Sequence, residues 1–374
     1  MKFSNMLSTA GEWLRGEGPH HEIVISSRVR LARNLRHRPF PGWAKKADRG
    51  SILELIRSHV EALPEMQESF SESLQDLSAL DRQVLVERHL ISREHAAKGA
   101  GSAVVVNRRQ TLSIMINEED NLRMQSIRSG LQLKQAFKLV DKIDSALESK
   151  LDFAFDSRLG YLTACPTNVG TGMRASAMLH LPGLVLSELI NQVIQAVSKI
   201  GLAVRGLYGE GTEAMGNLFQ ISNQTTLGEK EEEIINRLSK VIETIIEKEH
   251  DARQILLQKK PNTLCDQIGR AYGILTYSHA MPSKEALNLL SIIKLGMDLG
   301  AFPEDQRLQV DELFIDTQPA HLQKNSQRKL NAEERDHLRA EIIRERLKLF
   351  PKPDISKVAK EPGSSSTTAP SKNE

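Results

Sequence analysis

Five arginines sit where the chain passes from one element to the next, beside two glycine-rich stretches. Arg28 and Arg30 alternate along one β-rich run, so both side chains point to the same face. Arg123 follows the acidic turn Asn117-Glu118-Glu119-Asp120. Arg174 follows the loop Pro166-Thr167-Asn168-Val169-Gly170-Thr171-Gly172, and Arg205 ends a short run just before a second glycine-rich loop at 209–216. A guanidinium fork matches phosphate oxygens in pairs. Converged, the five would hold a polyphosphate; dispersed, each would be an ordinary surface ion pair. Their shared position at element ends favours the first reading. The carboxylates suggest a second chemistry. Glu118, Glu119 and Asp120 form either a solvated turn or a site where one acid orients and deprotonates a cationic substrate. Glu210 lies between Gly209 and Gly211, which let the backbone turn sharply and project the acid. Cys165 precedes Pro166 near a helix start, a setting that can lower a thiol pKa, though a buried inert cysteine fits equally. Cys265 has no such context.

The elements that would position these residues read as follows. Residues 22–29 alternate as a strand. Residues 53–63 and 76–85 have helical spacing. The β-rich runs 103–107 and 112–116 flank Arg108-Arg109-Gln110 as a hairpin, and 121–129 continues as a strand. An amphipathic helix covers 131–147. A short strand spans 160–165, and a helix is expected to carry Arg174 to Met178. The apolar stretch 179–204 reads as a buried helix with flanks. Two more strands, 203–206 and 218–223, surround the second glycine loop, and a long charged helix runs over 229–258. Strands and helices without a βαβ rhythm predict an α+β fold, an antiparallel sheet backed by helices. From residue 263 to 350 the periodicity is helical throughout. The expected organisation is a domain over 1–258, a helical C-terminal module over 259–350, and a disordered tail over 351–374, rich in Pro, Ser, Thr and Lys.

Composition narrows the function classes. The chain has 374 residues, 40% of them hydrophobic and 26% charged, which is ordinary globular composition. A formal net charge of +2 gives no whole-molecule field for nucleic acid. The two cysteines are far apart, form no metal-type spacing and no disulfide framework, and suit a reducing cytosol. The first 18 residues lack the apolar run of a signal peptide. The stretch 179–204 is interrupted by His180, Pro182, Ser187, Glu188, Asn191 and Lys199, so no membrane span is expected. No fixed-period repeat is visible. The common nucleotide signatures G-x-x-x-x-G-K-[ST], H-R-D with D-F-G, and G-x-G-x-x-G are absent.

The arginines and acids belong to an ordered set of motifs. Ser26-Ser27-Arg28-Val29-Arg30, Asn117-Glu118-Glu119-Asp120, the string from Cys165 through Gly172, and Arg205-Gly206 followed by Gly209-Glu210 resemble the signatures of the phosphagen kinases, in family order over roughly residues 20–258. Within that family the chain is most similar to the bacterial protein-arginine kinases. The first signature strand begins near residue 26, without the small N-terminal helical domain of the metabolite kinases. Leu31-Ala32-Arg33-Asn34 follows it as in the bacterial group. Arg335-Asp336-His337-Leu338-Arg339-Ala340 resembles that group's RDxxRA phosphoarginine-reading motif, although these charges could equally be a solvated helix face.

The resemblance implies a phosphagen-kinase catalytic domain with a glutamine-synthetase-like sheet, and transfer of phosphate from ATP to arginine side chains of proteins. It implies nucleotide contacts from Ser26, Ser27, Arg28, Val29, Arg30, His89, Arg123, the run Arg174, Ala175, Ser176, Ala177, Met178, and the run Arg205, Gly206, Leu207, Tyr208, Gly209. Met178 stands where the metabolite kinases tend to have a histidine. Glu119 and Glu210 are implied as the paired substrate carboxylates, Cys165 as the reactive cysteine, and Arg335, Asp336 and Arg339 as an allosteric phosphoarginine site. Mg²⁺ would be held mainly by phosphates and water, with no protein metal site. Further implications are protein substrates with exposed arginine, an activator protein, an AAA+ unfoldase-protease, a homodimer or higher assembly, cytoplasmic location, and a role in quality control and stress regulation. Two rival readings are a metabolite kinase acting on free arginine and a non-catalytic phosphoarginine-binding adaptor.

Overall fold

The computed structural model describes residues 1–7, 11–206, 214–326 and 328–358. The chain begins with α1 (Phe3–Leu7), β1 (Val24–Arg33), α2 (Lys46–Glu61), β2 (Phe70–Ser73), α3 (Ala79–Glu87) and α4 (Arg93–Ala96). Then come β3 (Ala103–Val106), β4 (Leu112–Ile116), β5 (Leu122–Ser129), α5 (Leu133–Glu148), and a small hairpin of β6 (Phe155–Asp156) and β7 (Gly160–Tyr161). Next are β8 (Met173–His180), α6 (Pro182–Leu186), α7 (Ile190–Lys199), β9 (Leu202–Gly206) and β10 (Leu218–Asn223). After α8 (Glu231–Lys259) the elements are helical: α9 (Pro261–Tyr277), α10 (Ser283–Asp298), α11 (Arg307–Asp316), α12 (Pro319–Asn325), α13 (Ala332–Leu347) and α14 (Ile355–Val358).

Eight strands form one antiparallel sheet in the order β2-β3-β4-β5-β1-β8-β10-β9. Alternation along each strand gives the sheet two unlike faces. One face is apolar: Val29 and Leu31, Met124, Ala175 and Ala177, and Ile221 pack against Ile52 and Ile56 of α2, Val140 and Ile143 of α5, and Leu238 and Ile242 of α8. The helix α5 buries Leu133, Ala136, Val140, Ile143 and Leu147, the three-four spacing of an amphipathic helix. On the other face the intervening positions bring Arg30 opposite Arg174 and Arg28 opposite Ser176. That face carries the cations.

The expected helix over Arg174 to Met178 is instead part of β8. Alanine and methionine favour helix in isolation, but this segment is paired on both sides, with β1 and β10. Its small buried residues Ala175 and Ala177 let the backing helices approach. Tertiary pairing overrides propensity here. The stretch expected as one helix over 179–204 divides into the end of β8, α6, α7 and the start of β9, and Pro182 opens α6. Of the expected strand 160–165, only Gly160–Tyr161 pairs; Cys165 caps a single 3-10 turn, Pro166–Asn168.

The glycines of the Cys165–Gly172 string are needed by the backbone. Gly170 has φ 115°, and a Cβ there would stand 2.7 Å from the Thr226 carbonyl oxygen. Gly172 has φ 64°, and a Cβ would stand 2.6 Å from the Ala32 carbonyl oxygen. Close packing against neighbouring chain explains both residues.

The C-terminal helices have their own apolar cluster, including Ile268, Leu290, Val310, Leu313 and Ile343, which also reaches Leu218 of the sheet. Glu87 at the end of α3 accepts from the Ala320 and His321 amides at the start of α12, at 2.7 and 3.0 Å. Its carboxylate caps that helix where the helix dipole favours it. The tail expected to be disordered from residue 351 starts as packed chain. Ile355 and Val358, one helical turn apart, lie against the helical cluster, and residues 359–374 lie outside the described residues. No helix among the described residues is long and apolar enough to cross a membrane.

Candidate active site

The cationic face of the sheet lines a cavity of about 850 Å³. Arg28 and Arg30 enter it from β1, Arg123 from β5, Arg174 from β8, and Arg205 from β9. Four different strands thus bring the five arginines together. Among the described residues, Arg28, Arg30, Arg174 and Arg205 have no acidic ion-pair partner. Arg28 donates to the Gln220 side-chain oxygen at 2.7 Å, and Arg174 reaches the Ser222 hydroxyl at 3.4 Å. The buried Nε atoms of Arg30 and Arg174 have no acceptor. Burial, with repulsion from Arg123 and Arg174, pushes Arg28 down to about 10. Arg30 falls well below its ordinary value for the same kind of reason, and burial plus Arg205 and Arg123 depress Arg174. Concentrated positive charge under a low-dielectric wall is a receptor for a polyanion.

Arg123 differs from the other four. It donates to the fully buried Glu118 at 2.6 Å, and Glu118 also accepts from the Ser92 hydroxyl at 2.5 Å and the Glu119 amide at 2.8 Å. Burial works against ionising Glu118, but Arg123 and these hydrogen bonds hold its carboxyl at about 2. Of the acidic trio, Glu118 is therefore spent on Arg123. Asp120 is spent as well: it accepts from the Asn34 side chain at 2.6 Å and from the Ala164 amide at 2.7 Å. That second bond ties the turn to the residue before Cys165. Glu119 alone is exposed into the cavity. Partial burial, then the charges of Asp120 and Glu118, raise its pKa above the ordinary glutamate value. A carboxylate so placed can hold a cation and accept a proton from it.

Cys165 is half-buried beside this wall, its Sγ 3.1 Å from the Thr167 hydroxyl. The neighbouring Thr163 and Ala164 line the cavity. His89 lies deeper, with Ser26, Ser176 and Met178 around a small pocket that shares Arg28 and Gln220 with the main cavity. Burial, then Arg28, pushes His89 down to about 3, so the ring is neutral. Its edge meets Trp13 at 5.2 Å between centroids. The side chains of Ser27, Val29, Ala175 and Ala177 are not in the cavity: Val29, Ala175 and Ala177 belong to the apolar face, and the Ser27 hydroxyl donates to the Gly130 carbonyl at 2.7 Å. Gly206 lines the cavity at the end of β9. Leu207, Tyr208, Gly209 and Glu210 lie outside the described residues.

Sequence reasoning passed over other lining residues. Gln220, Ser92, Glu94, Lys98, Phe40 and Trp43 all face the cavity. Lys98 and Glu94 are of types that could meet phosphate or guanidinium, but nothing in their spacing set them apart from surface charges. Only the register of β10 against β9, which sets Gln220 opposite Arg205, could have drawn attention to one of them.

In the C-terminal module the trio Arg335, Asp336 and Arg339 does not share an open face. Arg339 is 1% exposed and donates to the Thr317 carbonyl at 2.9 Å, the Met281 carbonyl at 2.6 Å and Asp336 at 2.5 Å. One turn beyond Arg335, it points inward and joins α13 to the end of α11 and the segment before α10. Arg335 and Asp336 remain half-buried, Arg335 donating to the Leu330 carbonyl at 3.2 Å.

Residues 51–252 match the ATP:guanido phosphotransferase C-terminal catalytic domain. Among solved structures the fold is similar to the duplicated taurocyamine kinase of Schistosoma mansoni, with a TM-score of 0.56 and 28% identity over 62% of this chain and 33% of that one. It is also similar to a lombricine kinase, with a TM-score of 0.55 and 25% identity over 63% of this chain and 68% of that one. The chain belongs to the ATP:guanido phosphotransferase family.

Residues 261–358 match the protein-arginine kinase McsB C-terminal domain. The protein-arginine kinase of Halothermothrix orenii is 47% identical over 90% of this chain and 96% of its own length. That of Symbiobacterium thermophilum is 47% identical over 93% and 99%. Within its family the chain therefore falls among the protein-arginine kinases.

Proposed function

We infer that this chain transfers the γ-phosphoryl group of ATP to the guanidino nitrogen of arginine side chains in proteins. The observation that carries this reading is the convergence of five arginines, four of them without an acidic partner among the described residues, beside the exposed Glu119, whose pKa is raised. The arginines take the phosphate chain, and Arg123, held by Glu118, is the fixed member of the set. Glu119 holds the incoming guanidinium, which is cationic at neutral pH with a pKa above about 12. As the N–P bond forms and the bond from Pγ to the ADP oxygen breaks, one guanidino proton passes to Glu119 and ADP leaves. Phosphoryl transfer needs alignment and charge neutralisation more than covalent help. Glu210 is proposed as the second clamp on the guanidinium. Cys165 is proposed to place negative charge near the non-attacking nitrogen, without a covalent intermediate.

No cluster of three or more His, Cys, Asp or Glu side chains able to hold a metal occurs among the described residues. In this reading Mg²⁺ enters with ATP, held mainly by phosphate oxygens and water, and supplies charge neutralisation on the transferring group. His89, Ser26, Ser176 and Met178 are proposed to line the nucleoside end. The catalytic unit is proposed as residues 1–258 and the helical module as 259–350, the latter carrying dimer contacts and phosphoarginine reading. In that reading Arg335 and Asp336 meet the ligand, and Arg339 frames them. An activator protein, an AAA+ unfoldase-protease, a homodimer or higher state, cytoplasmic location, and a role in quality control or stress regulation rest on the resemblance to the bacterial group.

The test is an ATP assay on free arginine and on an unfolded arginine-containing protein, followed by mass spectrometry that preserves acid-labile phosphate. Phosphoarginine in the protein supports the reading. Phosphate on free arginine alone would make the chain a metabolite kinase, and none on either would leave the adaptor reading.

A further inference from the structure

We propose that Trp43, with Phe40, is a docking platform for an apolar residue flanking the target arginine in an unfolded polypeptide. The inference rests on the kinase reading and names which polypeptides that site prefers. Both rings line the cavity that holds Glu119 and the arginines. Trp43 is 89% exposed and has no aromatic or cation-π partner among the described residues. An indole left in water at the rim of a charged cavity is costly, and burying it on binding recovers that cost.

The platform is held in place. The amides of Trp43 and Ala44 both donate to the Phe40 carbonyl, at 2.9 and 3.0 Å, closing a tight turn after Pro39 and the buried Pro41. Upstream, the Leu35 amide is fixed by the Asn121 side chain at 3.0 Å. Downstream, Asp48 accepts from the Lys45 amide at 3.1 Å in the capping box that starts α2. With the backbone of this turn already fixed, only the side-chain freedom of the indole is lost on binding.

The occupant follows from reach. Free arginine has no chain beyond its own backbone atoms to touch a rim residue. In a protein substrate the arginine side chain enters the cavity while its backbone crosses the mouth, and each extended residue adds about 3.3–3.6 Å. The residues flanking the arginine are the part of such a substrate that would meet Phe40 and Trp43 where they line the cavity. Aliphatic and aromatic flanks are mostly buried in folded proteins, so a platform for them selects chains that have lost their fold.

The experiment uses the full chain and two peptides, each with one arginine, flanked by leucines in one and by serines in the other. Kinetics of phosphoarginine formation give the ratio of kcat/KM for the two. The expected wild-type preference for the leucine peptide is about tenfold, in the range one apolar contact discriminates. It should collapse toward unity in Trp43→Ala and largely return in Trp43→Phe. Fluorescence provides a second readout, because the chain has only two tryptophans and Trp13 is 3% exposed. Leucine peptide should shift the emission of Trp43 to shorter wavelength, and serine peptide should not. No preference in the wild type, or equal losses on both peptides in Trp43→Ala, would overturn the inference while leaving the kinase reading intact. Phosphate on neither peptide would overturn the kinase reading, and this inference with it.

Discussion

Two groups of buried arginines in this molecule have opposite surroundings. Where the helical module meets α8 and within the module itself, Arg253 of α8 meets Glu249 and Asp298 at 2.7 and 2.9 Å, Arg307 meets Asp298 at 2.6 Å and also Glu304, and Arg339 is spent on Asp336 and two carbonyls. Although burial opposes it, those acids raise Arg253 and Arg307 above the ordinary guanidinium value. In the sheet cavity Arg28, Arg30 and Arg174 are depressed by burial and by one another. The module's arginines have their anions built into the chain. Those of the cavity are held ready for anions that arrive, at a cost to the unliganded fold. Removing a satisfied arginine should damage stability; removing a waiting one should damage binding.

The largest effect should come from Glu119. Glu119→Gln keeps shape but removes the negative charge, and phosphorylation should fall by about 10²–10⁴-fold, with ATP affinity largely retained. The sign of the pH dependence follows from the raised pKa of Glu119. Its carboxyl protonates as pH falls, at a higher pH than an unperturbed glutamate would, so kcat/KM for the arginine substrate should drop on the acid side. His89, at about 3, is neutral across pH 5–8 and should add no limb there. Wild-type turnover in Glu119→Gln would remove that residue from its role.

On the module side, Arg339→Ala leaves Asp336 and two buried carbonyls without their donor. Each buried carbonyl left without its donor costs about 1–3 kcal/mol. Chemical denaturation should report a loss of that order, with ATP affinity in the remaining folded protein unchanged. An unaltered denaturation midpoint would erase the contrast between the two regions. The smallest effect belongs to Cys165→Ala. A half-buried thiol used for tuning should change kcat by less than about tenfold, or about 1.4 kcal/mol. A loss as large as that of Glu119→Gln would make the thiol essential.

Much of this arrangement could be read from residue order. Period-two spacing put Arg28 and Arg30 on one face, and strand-to-loop positions located Arg123 and Arg205. Propensity misread β8, because Met173–His180 is alanine- and methionine-rich and only its pairing with β1 and β10 makes it a strand. The acidic turn could not be sorted from spacing either. Glu118 is taken by Arg123 just after the turn, while Asp120 is taken by Asn34 and Ala164 from distant parts of the chain. The module trio shows the same limit: i, i+1, i+4 spacing suggested a common face, while contacts with Thr317 and Met281 draw Arg339 inside. Trp43 carried no signal, since exposure is a property of the fold.

The most direct test of the waiting-arginine account is Arg30→Met, read for stability and nucleotide binding in the same preparation. Methionine fills similar space without the depressed charge. The account predicts that thermal stability without nucleotide stays level or rises, because desolvation and repulsion are relieved. Calorimetric titration with Mg·ATP should then show affinity weakened by roughly 10- to 150-fold, the equivalent of a lost charge-assisted contact worth about 1.5–3 kcal/mol. Unchanged Mg·ATP affinity together with a clear loss of stability would place Arg30 with the module's structural arginines and contradict the account.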